Sequence, residues 1–284
     1  MNSPFSTSLL PDSNGRIALK AGEVLPLGLI CEPFGETPFM ELINRFSYRA
    51  ISLKEQGAQY ISINNMSSLA ELRAAIFGAW HAKLPVLVNA DADEHGEAFG
   101  KTDILSVLLA AQGLGINAFA LHMQSNEPTA LEKQLARLAA FAKIPLLIGN
   151  AASGYKRHSA ITAPEAHQPN ELVLCSETEV FYLDESYELS ELIPCGLSMA
   201  DNIMSEEDAG CDVLLVHLTT NEDAYCFSQS AHMAKLPVCF FAENEEALES
   251  GLIYYNGRTI IDARSGVPRE SLETLAAGYG AILR

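Results

Sequence analysis

Gly115-Ile-Asn-Ala-Phe-Ala-Leu-His122 and Gly210-Cys-Asp-Val-Leu-Leu-Val-His217 are two versions of one segment: a glycine, a short apolar run, and a histidine at its end. Gly57-Ala-Gln-Tyr-Ile-Ser-Ile-Asn64 is a third version, ending in asparagine. A second kind of segment carries a proline near its start: Lys83-Leu-Pro-Val-Leu-Val-Asn89, Lys143-Ile-Pro-Leu-Leu-Ile-Gly-Asn150 and Lys235-Leu-Pro-Val-Cys-Phe-Phe-Ala-Glu243. Runs this short and this apolar read as parallel strands covered on both faces. The glycine suits the end of a preceding helix, where the chain must turn into the strand. Proline lacks a donor N–H, so it fits a strand entrance and not its middle.

Helical patterns lie between these runs. Ser67 to His81 places Leu69, Leu72, Ile76 and Trp80 at three- and four-residue spacing, with Ser67 or Ser68 as N-cap. Asp103 to Leu114 and Thr129 to Ala142 read the same way, capped by Asp103 and Thr129. Asn244 to Tyr255 opens on Glu245 and Glu246, where negative charge favours a helix N-terminus. Further strands are expected at Gly28 to Cys31, Val180 to Leu183, Thr259 to Asp262 and Gly280 to Leu283. Strand and helix alternate, which is βαβ construction. The expected fold is α/β with a TIM-barrel-like (β/α) architecture, as an irregular single barrel or two incomplete half-barrels. Ala152 to Asn170 holds Ser153-Gly154, Pro164 and Pro169 without periodicity and marks a boundary. The expected domains are residues 1–168 and 169–284.

Charge narrows the partners. Among 284 residues, 36 are acidic and 18 basic, a formal charge of −18 that repels phosphate backbones and anionic lipid headgroups. Nucleic acid and membrane are therefore not expected as partners. Met1 to Leu10 lacks the basic start and apolar core of a signal peptide, and no run of about 18 apolar residues could cross a bilayer. Cys31, Cys175, Cys195, Cys211, Cys226 and Cys239 are spread singly, without a C-x-x-C pair. Such cysteines are expected to be reduced and packed inside a cytoplasmic protein.

In a parallel barrel, chemistry sits where strands end and loops leave the sheet. Those positions give Glu32, Asn64, Asn65, Asn89, Asp91, His122, Gln124, Asn150, His217, Glu243 and Asp262. Strand ends also meet water, so polarity there needs no function. A binding mouth lined by Glu32, Asn64, Asn89, Asp91, His122, Asn150, His217 and Asp262 is the functional reading. His122 and His217 occupy equivalent places and could shuttle protons or bind a metal. No Cys, His or Asp at metal spacing accompanies either one, so no metal ligand is assigned. The chain also lacks a P-loop, a dinucleotide fingerprint, a G-x-S-x-G elbow and an H-E-x-x-H helix.

Several of these segments follow one another in a familiar order. Glu32-Pro-Phe-Gly-Glu36, Gly57-Ala-Gln-Tyr-Ile-Ser-Ile-Asn-Asn-Met66, Asp93-Glu94-His95-Gly96 with Lys101-Thr102-Asp103, and Asn150-Ala151 together resemble the homocysteine-binding module of homocysteine S-methyltransferases and cobalamin-dependent methionine synthase. That resemblance covers residues 27–155. From 178 onward the chain resembles the start of the pterin-binding module, best in the stretch from Glu246 through Gly251, Tyr255-Asn-Gly-Arg258 and Ile260-Ile-Asp262 to Ala263, and in Tyr279-Gly-Ala281. The resemblance implies a place in one-carbon and methionine metabolism, a methyl group moved to homocysteine, and zinc with methylfolate or a corrinoid as cofactors. In that family, three thiolates hold the zinc, which activates the homocysteine thiol. Here Met123 stands at the strand-end cysteine position, the G-G-C-C-G turn is absent, Asn64 replaces the substrate-facing glutamate, and Asp262 replaces an asparagine.

Three functions follow. One is a protein that keeps the binding role without zinc-thiolate chemistry, taking a small molecule or acting as accessory to a corrinoid or methyltransferase protein. The second is an active methyltransferase with other metal ligands, such as His122 with Cys175 or Cys195. The third is a different enzyme that moves protons with Asp91, His122 or His217. The oligomeric state and the ligand are open at this stage.

Overall fold

Ala118–Met123 and Val213–Leu218 are both six-residue strands, each buried at its first four positions and half-exposed at the histidine. They belong to different bodies. In this computed structural model, which describes residues 9–124, 128–150, 152–158 and 172–284, the chain divides into two compact units, Met1–His167 and Gln168–Arg284. The expected boundary from Ala152 to Asn170 lies largely outside the described residues, from 159 onward.

The N-terminal unit runs β1 (Ala21–Val24), α1 (Phe39–Glu55), β2 (Tyr60–Ile63), α2 (Leu69–Trp80), β3 (Val86–Ala92), β4 (Glu97–Ala98), β5 (Thr102–Asp103), α3 (Ile104–Gly113), β6 (Ala118–Met123), α4 (Pro128–Ala139), β7 (Leu146–Asn150) and β8 (Gly154–Arg157). Its sheet has the order β1-β2-β3-β6-β7-β8. The first five strands are parallel and β8 is antiparallel to β7. β4 and β5 form a separate antiparallel ribbon.

Because successive side chains alternate faces, each strand feeds two different environments. Ile61, Ile63, Val86, Val88, Phe119 and Leu121 are buried on one face, and α1, α2 and α3 lie against β1, β2 and β3. The opposite face packs Tyr60, Leu87, Ala118, Ala120 and Leu147 with Leu9 and Tyr155, a cluster without a helical residue. Each such buried Leu, Ile or Phe contributes about 1.5–3 kcal/mol. α2 is buried almost all round and crosses α1 closely at Gly78, where a Cβ would stand 2.6 Å from the Phe46 Cβ.

The C-terminal unit runs β9 (Leu172–Cys175), β10 (Val180–Leu183), β11 (Leu189–Pro194), α5 (Met199–Ala209), β12 (Val213–Leu218), α6 (Asn221–Ser230), β13 (Val238–Ala242), α7 (Glu245–Tyr254), β14 (Ile260–Ile261), α8 (Arg269–Tyr279) and β15 (Ile282–Leu283). β11 to β15 form a parallel sheet in chain order, and β9 with β10 makes an antiparallel ribbon. Leu214, Val216, Leu218, Val238 and Phe240 face the helices. Val213, Leu215, Cys239 and Ile260 face the ribbon residues Leu172 and Leu174.

The barrel expected from the repeat is not formed, either as one irregular barrel or as two half-barrels. Closing a barrel requires the first strand to pair with the last. Here β1 and β8 are the outermost strands of one sheet, β11 and β15 those of the other, neither pair meets, and β8 runs against its neighbour. The protein is a mixed α/β chain of two open, mainly parallel sheets with two small antiparallel ribbons. Two local expectations also change. Gly28 to Cys31 is not a strand; among the described residues the first strand lies earlier, at Ala21–Val24, and Cys31 forms an isolated bridge to Thr37. Thr129 is no N-cap, because α4 already begins at Pro128. Among the described residues, no helix is long and apolar enough to cross a membrane.

Candidate functional site

On the helix-free face of the N-terminal sheet, side chains change character along the strands. β2 presents Tyr60 and Ser62 and is followed by Asn64; β3 presents Leu87, Asn89 and Asp91; β6 presents Ala118, Ala120 and His122. Apolar residues pack at the strand entrances and polar ones gather at the C-terminal ends. The register decides who meets whom: Asp91 and His122 are direct partners across β3 and β6, and Asp91 Oδ1 lies 2.9 Å from His122 Nδ1. Their side chains are 37% and 38% exposed. A carboxylate on Nδ1 orients the ring and favours the tautomer with its proton on Nδ1.

A hydrogen-bond network underlies this pair. Asn89 Nδ2 donates to Ser62 Oγ at 3.0 Å, and the Tyr155 hydroxyl donates to Asn89 Oδ1 at 2.8 Å. Asn64 is buried; its Nδ2 donates to the Ser62 carbonyl at 3.0 Å and its Oδ1 accepts from Ser62 Oγ. Burial, with Tyr60 nearby, pushes the Tyr155 hydroxyl up to about 12, against the smaller lowering effect of its hydrogen bonds to Ser62 and Asn89. It is therefore a donor at any physiological pH. Tyr155 and Ser62 were not among the sequence candidates. Tyr155 reaches the site from the antiparallel edge strand, a placement with no periodic signal.

Two candidates fall outside this network. Glu32 loses its strand-end position with the missing strand and sits in the 31–37 turn, its N–H donating to the Thr37 carbonyl. Asn150 Oδ1 accepts from Ala152 N, Ser153 N and Ser153 Oγ, closing the β7–β8 connection. That is an Asx-type turn. A cleft of about 370 Å³ between residues 11–15 and 153–157 shares Tyr155 with the site and is lined by none of the strand-end candidates.

His217 and Asp262 lie in the other unit. His217 Nε2 is 2.8 Å from Glu243 Oε1, so its carboxylate comes from the following strand, whereas that of His122 comes from the preceding one. Asp262 is buried and accepts from Arg264 on both carboxylate oxygens, from Nε to Oδ1 at 3.0 Å and from Nη2 to Oδ2 at 2.6 Å. Burial alone would raise the Asp262 carboxyl, but the Arg264 hydrogen bonds and charge hold it below the usual range. Arg264, three residues past the strand, carried no sequence signal.

The thiolate-held zinc implied by the resemblance does not fit these residues. Among the described residues, no three His, Cys, Asp or Glu side chains group to hold an ion. Met123 is buried on the helix-covered face, opposite His122. Cys175 is buried in the C-terminal unit, and Cys195 gives its Sγ hydrogen to the His217 carbonyl at 3.3 Å. Burial, then the charges of Asp223 and Cys226, push the Cys195 thiol up to about 12, so it is no thiolate at neutral pH. No disulfide joins the six cysteines.

No family model matches the chain, and no curated protein does. A solved structure described as "Structure of A-type Ketoreductases from Modular Polyketide Synthase" is 15% identical, over 93% of this chain and 66% of that one, with a TM-score of 0.26. The chain spans just under two thirds of that protein's length, and a likeness this low carries no argument about fold or activity.

Proposed function

We propose that the N-terminal unit is a metal-independent binding module for a small polar metabolite of one-carbon or methionine metabolism, held at the strand ends by His122, Asp91, Asn89 and Asn64. The observation that carries this reading is the Asp91–His122 pair over the Ser62–Asn89–Tyr155 network. It stands half-exposed on the face without helices, and among the described residues no cluster of metal ligands accompanies it. The metabolic class comes from the resemblance to homocysteine S-methyltransferases. A cytoplasmic setting, and an accessory role beside a corrinoid or methyltransferase protein, belong to the same proposal.

The test is a thermal shift on chelator-treated protein with L-homocysteine, L-methionine and methyltetrahydrofolate. A ligand of the native state at a hundred times its Kd adds about 2.7 kcal/mol. One of the three is expected to raise the Tm of the wild type and to lose that effect in Asp91→Asn. No shift from any of them sinks the metabolic class.

A second reading is favoured by one distance. With Nδ1 at 2.9 Å from a carboxylate, His122 is built like a general base, and the thiol of homocysteine is a proton donor such a base could serve. If the module turns over, His122→Ala is expected to lower kcat by about 10²–10⁴-fold, and added chelator to leave it unchanged.

A further inference from the structure

Asn14-Gly15-Arg16 and Asn256-Gly257-Arg258 are the same tripeptide in two settings. Asparagine followed by glycine is a reactive pair, because glycine has no Cβ to keep its backbone nitrogen away from the preceding side-chain amide.

The first pair lies in an exposed turn that closes against β8. Asp12 Oδ1 accepts from Asn14 N and Arg16 N at 2.8 and 2.9 Å, and the Gly15 N–H donates to the Asp12 carbonyl at 3.0 Å. The Gly15 carbonyl accepts from Tyr155 N at 2.9 Å. This turn requires glycine for two reasons: φ is +77°, and a Cβ would stand 2.8 Å from the Tyr155 carbonyl oxygen. The fold thereby sets a glycine after an asparagine that is itself exposed. Among the described residues, no hydrogen bond holds the Asn14 side chain. Asn14 and Gly15 also line the cleft of about 370 Å³ against residues 153–157, so water reaches both.

The second pair is clamped. Asn256 Nδ2 donates to Glu177 Oε2 at 3.3 Å, and its Oδ1 is buried. Gly257 is buried too, and a Cβ there would stand 1.9 Å from the Cys175 carbonyl oxygen.

We infer that Asn14 is a site of spontaneous deamidation and isoaspartate formation, and that Asn256 is spared. The Gly15 nitrogen loses its proton and attacks Asn14 Cγ. The new N–Cγ bond closes a succinimide, the Cγ–Nδ2 bond breaks, and the nitrogen leaves as ammonia with the proton. Water then opens the ring at either carbonyl, giving aspartate or isoaspartate, with no oxidation or reduction. Attack requires the Gly15 N–H to leave the Asp12 carbonyl, an opening that costs little in an exposed turn and more in a buried one. The isoaspartyl product carries an extra main-chain carbon in the turn whose Gly15 carbonyl holds Tyr155 N. Deamidation therefore loosens the edge strand that brings Tyr155 to Asn89, whatever ligand the N-terminal unit binds.

Peptide mapping by mass spectrometry of the folded full chain, held in mildly alkaline buffer, tests this, with isoaspartate read by enzymatic methylation. Asn14 is expected to convert at least about tenfold faster than Asn256, and the Tm of the aged chain to fall. In denaturant, where both settings are lost, the two rates are expected to converge. Asn14→Gln, which would have to close a larger ring, is expected to keep its mass and its Tm over the same period. Equal conversion of the two asparagines in the folded chain, or conversion of neither while the denatured chain converts both, overturns the inference. A Tm that falls as fast in Asn14→Gln as in the wild type overturns the link to Tyr155.

Discussion

Tyr155 ties an edge strand to the centre of the N-terminal sheet through its hydroxyl, which donates to Asn89 Oδ1 at 2.8 Å. Replacing it by phenylalanine leaves Asn89 without that donor and is expected to lower stability by about 1 kcal/mol, read from denaturant unfolding. The same group fixes a pH dependence. Burial first, and then Tyr60, raise its folded value to about 12, above the ordinary tyrosine value of about 10. Its contribution is therefore full below pH 10 or so and lost as pH rises through about 12. Unfolding curves across that window are expected to slope for the wild type and to flatten in Tyr155→Phe. Asp262 works with the opposite sign. Its folded carboxyl is held low by Arg264, so its contribution is present above the usual carboxylate range and fades as pH falls through the lowered value. Asp262→Asn is expected to reduce acid sensitivity. At this scale the sequence showed which strands end in His122, Asp91 and Asn89. It could not show that Asp91 and His122 face each other, because register across two strands is set by packing of the whole sheet. Arg264 and Tyr155 were illegible for the same reason: each reaches its partner through a turn or an edge strand.

Elements were read best where side chains signal their own ends. Ser68 Oγ accepts from Glu71 N at 3.1 Å, Asp103 Oδ1 from Leu105 N at 2.8 Å and Asn244 Oδ1 from Ala247 N at 2.9 Å, and the helices they cap were all expected. By contrast, α1 and α8 begin after Pro38 and Pro268, without a side-chain cap bond. Neither helix carries the Ser, Thr, Asp or Asn signal on which the sequence reading relied. Burial of their apolar faces decides them instead, with Leu42 and Phe46 in α1 and Leu272 in α8. The α1–α2 contact gives the sharpest test at this scale. Gly78 lies where a Cβ would stand 2.7 Å from the Phe46 carbonyl carbon and the Ser47 nitrogen, backbone atoms that cannot swing aside. Gly78→Ala gains up to about 1 kcal/mol of helix propensity, yet is expected to destabilise by about 1–3 kcal/mol through overpacking, measured by thermal or denaturant unfolding.

For the whole molecule, the repeat of glycine-led and proline-led strands showed correctly that strands and helices alternate, and misled about closure. Local patterns fix a strand and its faces. Whether the last strand returns to the first depends on strand number and stagger, which no short motif encodes. Each unit has its own sheet with one helix-covered face and its own buried cluster. Residues 168–284 expressed alone are therefore expected to unfold cooperatively, with a single thermal transition; a non-cooperative melt would argue against a self-sufficient core. The functional proposal for the N-terminal unit rests on a binding site that works without an ion. The most direct check is the imidazole NMR signal of His122, assigned by its loss in His122→Ala, as chelator-treated protein is titrated with L-homocysteine. A saturable movement of that signal at substoichiometric zinc is expected. A signal that stays fixed, or that moves only after zinc is added, would contradict a metal-independent site at Asp91 and His122.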